Sequence, residues 1–155
     1  MNAQFMERAI QLAIENVRSG RGGPFAALVV RAGGVLATGT NVVTSSNDPT
    51  AHAEIVAIRA ACAALGTFQL EGCDLYATCE PCPMCLGAIY WARPKRVFFG
   101  ATANDAAKAG FEDSFIYRQI ETPKETRSIP FLPLMREEAL ECFRSWQAKA
   151  DRVVY

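Results

Sequence analysis

Apolar residues recur at helical spacing near the N-terminus, at Met6, Ile10, Ala13 and Val17. That spacing predicts an amphipathic helix with one buried face. Gly20, Gly22 and Gly23 end it before Pro24 and Phe25. The period then changes. Residues 26–30 are short, apolar and rich in β-formers, and Gly33-Gly34 turns the chain back into residues 35–38, which predicts a β-hairpin. Asn41 follows the second strand, and a polar loop is expected over residues 44–50.

A second helical period starts near His52, with Ile55, Ile58 and Leu65 on one face and a stop near Gly66. Residues 74–78 read as a strand, 82–91 as a helix that Pro94 follows, and 96–100 as another strand. Strand, helix and strand in this order imply a right-handed parallel crossover. Residues 102–112 read as a polar loop leading into a short helix over 113–121. Residues 129–134 are expected to form an edge strand, and Ala139, Leu140, Phe143 and Trp146 set one face of a last helix over 136–148. The predicted architecture is one domain over residues 1–155, a three-layer α/β/α sandwich on a mixed sheet of about five strands.

Chemistry concentrates in two short stretches, His52-Ala53-Glu54 and Pro81-Cys82-Pro83-Met84-Cys85. On a helix, Cys82 and Cys85 share a face. One imidazole and two thiolates are a catalytic zinc set, because the fourth tetrahedral position stays open for water. His52 is the only histidine in the chain. Glu54, two residues after it, is the natural proton carrier. A helix starting near residue 52 also directs its first amide groups at the site, which favours negative charge there. The crossover puts the cysteine pair at the carboxyl end of a strand, where open α/β sheets carry their sites.

Each of these residues also has a plainer reading. The cysteine pair alone would suit a redox site or a zinc ribbon. A structural zinc would want a fourth ligand, and Cys79 is the one on offer; a packing role suits it better, since four protein ligands close the metal. Asn41 is either a turn residue or an amide facing a base edge. Phe25 is either core or a stacking partner, Asp113 is ordinary helix-cap material, and Tyr155 is a terminal residue.

Composition narrows the classes further. Half of the 155 residues are hydrophobic, which excludes disorder as the main state. Sixteen basic residues balance sixteen acidic ones, which argues against a long nucleic-acid footprint. Arg93, Lys95 and Arg96 form the compact basic cluster. No stretch approaches a membrane span. The N-terminal stretch does not resemble a signal peptide, so a cytoplasmic protein with reduced thiols is expected.

The combination H-x-E with P-C-x-x-C is the signature of zinc-dependent nucleobase deaminases. Pro49-Thr50-Ala51-His52-Ala53-Glu54 and Cys79-Glu80-Pro81-Cys82-Pro83-Met84-Cys85 resemble the cytidine-deaminase-like superfamily. The stretches GGPF at 22–25, TSSNDPTAH at 44–52, CPMCLGAIYWARPK at 82–95 and AGFEDSFIY at 109–117 are most similar to its bacterial guanine-deaminase branch.

This resemblance implies one Zn2+ per subunit on His52, Cys82 and Cys85, with Glu54 as proton shuttle in the hydrolysis of guanine to xanthine and ammonia. It further implies that Phe25, Asn41, the Ala53 backbone, Asp113 and Tyr155 hold the purine base. It implies a homodimer in which the C-terminal segment, about 136–155, is exchanged between subunits. The rival functions are a tRNA adenosine deaminase, a deaminase of another small aminated heterocycle, and a zinc-stabilised domain without catalysis.

Overall fold

Side chains alternate along β1 (Ala26–Arg31), sending Ala27 and Val29 to one face of the sheet and Leu28 and Val30 to the other. All four are buried, so this strand is covered on both sides. The computed structural model describes residues 2–155. Its sheet has the order β2-β1-β3-β4, with β2 spanning Gly34–Thr40, β3 Cys73–Cys79 and β4 Arg96–Ala101. β1 runs antiparallel to β2 and β3, and β3 runs parallel to β4. The sheet is therefore mixed, as expected from a hairpin joined to a crossover.

Helix α1 (Ala3–Arg18) covers one face, where Ala9 packs with Leu28, Val30 and Tyr76. On the other face, Ala53, Ala57 and Ala61 of α3 (Ala53–Leu65) meet Ala27, Val29 and Leu75. Ile89 and Ala92 of α4 (Pro83–Ala92) join the same core. The alanines of α3 let it lie close to the sheet. At Gly39 a Cβ would stand 2.2 Å from the Ala53 carbonyl oxygen and 2.5 Å from Ala57 N, so the N-terminal end of α3 rests directly on β2. That contact fixes the height of His52 and Glu54 above the sheet.

Several expectations change in detail. The buried face of α1 is carried by Ala9, Ala13 and Asn16, while Ile10 and Val17 are about half exposed. Small residues and an amide allow the helix to approach the sheet, and the branched side chains turn outward. The loop after Asn41 contains a one-turn helix, α2 (Val43–Ser46), closed by Asn47 in the left-handed region. The polar stretch after Thr102 folds as α5 (Ala103–Lys108). Thr102 and Asp105 form a reciprocal cap there, each side chain bonded to the other's backbone N–H.

The chain divides into two compact units, Met1–Asp113 and Ser114–Tyr155. The second contains α6 (Ser114–Glu121), a 3-10 turn (Lys124–Thr126) and α7 (Arg136–Ala148). Within it the Arg127 guanidinium donates to the Thr122 carbonyl and lies over the Phe131 ring at 4.9 Å. Residues 129–134 are irregular, in place of the expected edge strand. Pro130 and Pro133 remove two of the six backbone donors a strand there would use.

Candidate active site

His52 and Cys82 occupy the same position in two different helices. Each is the N-cap residue, with extended backbone (φ −68°, ψ 156° at His52; φ −64°, ψ 169° at Cys82), and neither side chain caps its own helix. Both are thereby free to point into the space between the two helix starts. Pro83 fixes the first helical residue of α4, and Cys85 follows in its first turn. The approach to His52 is set by Asp48, whose carboxylate accepts hydrogen bonds from the Thr50 N–H (2.8 Å) and hydroxyl (2.7 Å). Val42 N then donates to the Ala51 carbonyl at 3.1 Å, tying this segment to the end of β2.

The donor atoms of His52, Cys82 and Cys85 lie within 4.8 Å of one another. His52 Nδ1 stands 3.6 Å from each sulfur. A tetrahedral ion with metal–nitrogen and metal–sulfur bonds of about 2.05 and 2.3 Å requires a nitrogen–sulfur separation of about 3.6 Å. The residues fit zinc without rearrangement, and three protein ligands leave the fourth position open. Cys79 is not a member of this set. Its thiol reaches the Thr102 carbonyl at 3.7 Å and burial raises its pKa, so it stays protonated and packs against the α5 cap.

Charge is arranged to match. The Cys85 thiol donates to Cys82, which is the largest cause of the fall of Cys82 to about 4, and His52 adds to it. The same bond, with burial, pushes Cys85 up. His52 is raised by its contact with Cys82. A thiolate thus draws protons from its two neighbours, and a dication would displace them on binding. Glu54 is only 8% exposed, and burial raises its carboxyl pKa. Its place is in the first turn of α3, two residues after His52.

A cleft of about 120 Å³ opens beside these groups, lined by Phe25, Asn41, His52, Glu54, Cys82 and Asp113 among others. A space this small suits a single planar ring system better than a drug-sized ligand. Cys85 is fully buried, as is Ala53 at the first position of α3. Burial, and then the Cys82 charge, raises the pKa of Asp113. Of the nine expected site residues, eight belong to the first unit, and Tyr155 belongs to the second. There Tyr155 lies beside Cys142, Phe143, Trp146 and Val154.

Sequence reasoning missed part of the wall: Glu80, Ala103, Ala106 and Phe111. The Phe111 ring meets Phe25 edge-on at 4.9 Å, and Glu80 Oε2 accepts from Ala103 N at 3.0 Å. The signal that could have found α5 was the T-x-x-D cap at Thr102–Asp105.

An open-sided set of one imidazole and two sulfurs, with a buried carboxyl beside it on an α/β/α sandwich, defines a zinc-dependent hydrolase of the cytidine-deaminase-like class. Residues 1–101 match the family model for the cytidine and deoxycytidylate deaminase zinc-binding region. The chain is 56% identical over 151 residues to the guanine deaminase of Bacillus subtilis, covering 97% of each chain. The X-ray structure of guanine deaminase from Bacillus subtilis superposes with a TM-score of 0.97, covering 100% of this chain and 99% of the other. A guanine deaminase structure from Nitrosomonas europaea matches at 31% identity and a TM-score of 0.66, over 94% and 84% of the two chains. The tRNA-specific adenosine deaminase of Agrobacterium fabrum is 51% identical over 78 residues, half of either chain. The chain belongs to the bacterial guanine deaminases of the cytidine-deaminase-like superfamily.

Proposed function

We propose that this chain hydrolyses guanine to xanthine and ammonia, with Glu54 as its proton carrier. The observation that carries the reading is the burial of Glu54 in the same small cleft as His52 and Cys82, whose donor atoms lie with that of Cys85 within 4.8 Å of one another. His52, Cys82 and Cys85 would hold zinc, which when bound would lower the pKa of a water and supply hydroxide near neutral pH. Glu54 is the residue that would take the proton of the attacking water and pass it to the ring nitrogen beside C2. Glu54 then takes the proton of the new C2 hydroxyl, which becomes the carbonyl, and delivers it to the departing amino group. One water is consumed, one ammonia leaves, and the carboxylate ends in its starting state. Burial raises its carboxyl pKa, the direction that eases uptake of a proton.

The substrate contacts are part of the same proposal. Asn41 offers both a donor and an acceptor to the purine edge, the Ala53 N–H serves the same edge, and Phe25 packs on the ring. Asp113 meets the amide and amino edge of guanine. Tyr155 is assigned to closing the pocket of a partner copy.

The second unit supports an exchanged homodimer. None of its residues is buried, and Leu134 and Leu132 are more than 80% exposed. Exchange of this segment between two copies covers such side chains and excludes water from the cleft. No helix among the described residues is long and apolar enough to cross a membrane. We assign the protein to the cytoplasm, acting on a free base without nucleic acid.

The test is guanine turnover in water enriched in oxygen-18. Xanthine carrying one labelled oxygen, with one equivalent of ammonia, is expected. Unlabelled product or unreacted guanine would reject the reading.

A further inference from the structure

Asn16 is fully buried at the C-terminal end of α1, on a face otherwise made of alanine. Its side-chain Nδ2 donates to two backbone carbonyls, those of Gly23 at 2.9 Å and Asn41 at 2.8 Å. Both acceptors are oxygens, so the amide orientation follows: a flipped side chain would set oxygen against oxygen. The other end of the amide is unmatched. Among the described residues, Asn16 Oδ1 is the buried side-chain polar atom with no hydrogen-bond partner. An orphaned carbonyl is costly, and an alanine here would avoid that cost while fitting the helix face. The cost is offset by what Nδ2 holds.

Gly23 lies two residues before Phe25 of the cleft wall, and Asn41 is itself part of that wall. Asn41 N donates to the Phe25 carbonyl at 3.0 Å, and Phe25 N donates to the Gly23 carbonyl at 2.9 Å. Phe25 and Asn41 are therefore linked through their main chains, and Asn16 ties both sides of that link to α1. The packing leaves little slack. A Cβ on Gly22 would lie 2.1 Å from the Asn41 carbonyl oxygen and 3.3 Å from Asn16 Nδ2. Asn16 does not line the cleft itself. The zinc donors and Glu54 are carried by other elements, at the starts of α3 and α4.

We infer that Asn16 is a positioning residue for substrate: its amide clamps the Gly23–Phe25 turn to the end of β2 and so sets Phe25 and Asn41 against the base. This rests on the reading of Phe25 and Asn41 as base contacts. A clamp on binding groups alone acts on KM and leaves the chemical step to Glu54 and the metal.

The experiment compares zinc-loaded wild type with Asn16→Ala and Asn16→Ser, measuring KM and kcat for guanine by ammonia release, bound zinc, and far-UV circular dichroism. In Asn16→Ala, KM is expected to rise about tenfold, with kcat within about twofold and zinc retained. Asn16→Ser keeps one donor and should fall between the two. An unchanged KM in the folded alanine variant overturns the inference. A parallel loss of kcat and zinc, or failure of both variants to fold, also overturns it, because Asn16 is then structural. If wild type leaves guanine untouched, the guanine reading fails separately. The KM comparison is then made on whichever of adenine, cytosine or an anticodon stem-loop is turned over, and turnover of none defeats both.

Discussion

His52 Nδ1 stands 3.6 Å from Cys82 Sγ, although thirty residues separate them in the chain. Both side chains leave N-cap positions, so the metal set is assembled by two helix starts and not by a flexible loop. Cys82→Ser keeps the local volume but replaces a thiolate with a hydroxyl that does not ionise near neutrality. We expect bound zinc to drop from about one per chain to near zero after mild chelation, with activity lost in parallel. Metal analysis of the dialysed variant checks this, and retention of tightly bound zinc would count against the assigned ligand set.

In the proposed mechanism Glu54 works without being a ligand. Glu54→Gln preserves size and hydrogen bonding but cannot carry a proton. Turnover should fall about a hundred- to ten-thousand-fold while zinc content stays at the wild-type level. Loss of zinc with the activity would instead make Glu54 a part of the metal site.

Exchange of the C-terminal segment makes a prediction that a simple dimer does not. If the proposed exchange holds, Glu54→Gln and Tyr155→Ala homodimers should each be defective. Unfolded together in equal amounts and refolded, they form mixed dimers in which one of the two sites has both native residues, but only if Tyr155 comes from the partner. Recovery of about a quarter of wild-type activity is expected, since half the dimers are mixed and each holds one intact site. No recovery on refolding would show that Tyr155 acts in its own subunit or not at all.

Away from the site, Asp74 and Arg96 face each other across β3 and β4 with hydrogen bonds of 2.9 and 2.7 Å. Hydrogen bonding to Arg96 lowers the Asp74 pKa below its ordinary value. A lowered folded pKa stabilises the protein above the unfolded carboxyl pKa, and the contribution is lost as pH falls through the folded value. Asp74→Asn should therefore lower the urea midpoint slightly at pH 7, with the gap closing in acid. The effect is small because Arg96 is half exposed. Parallel urea titrations at several pH values check the sign.

The parts of this protein that were legible in sequence are those encoded locally. His52, Glu54, Cys82 and Cys85 stand at short spacings, and the helix starts that aim them follow from neighbouring residues such as Pro83. The hairpin, the crossover and α7 follow from periodicity and turn residues. What escaped depends on packing between distant segments. Periodicity counts apolar residues, so it put Ile10 and Val17 on the buried face of α1. The helix instead seats on Ala9, Ala13 and Asn16, because the sheet needs small residues there and two carbonyls need an amide donor. Phe111 and Glu80 enter the cleft wall through contacts with Phe25 and Ala103, which no local spacing encodes. Residues 129–134 looked strand-like in composition, but their prolines cannot serve a ladder.

The most direct test of the central claim is ammonia release by zinc-loaded protein given guanine, adenine, cytosine and a tRNA anticodon stem-loop in separate reactions. Fast release from guanine, with little from the other three, is the expected result. Turnover of the stem-loop with silence on guanine would contradict the substrate assignment and leave the zinc chemistry standing.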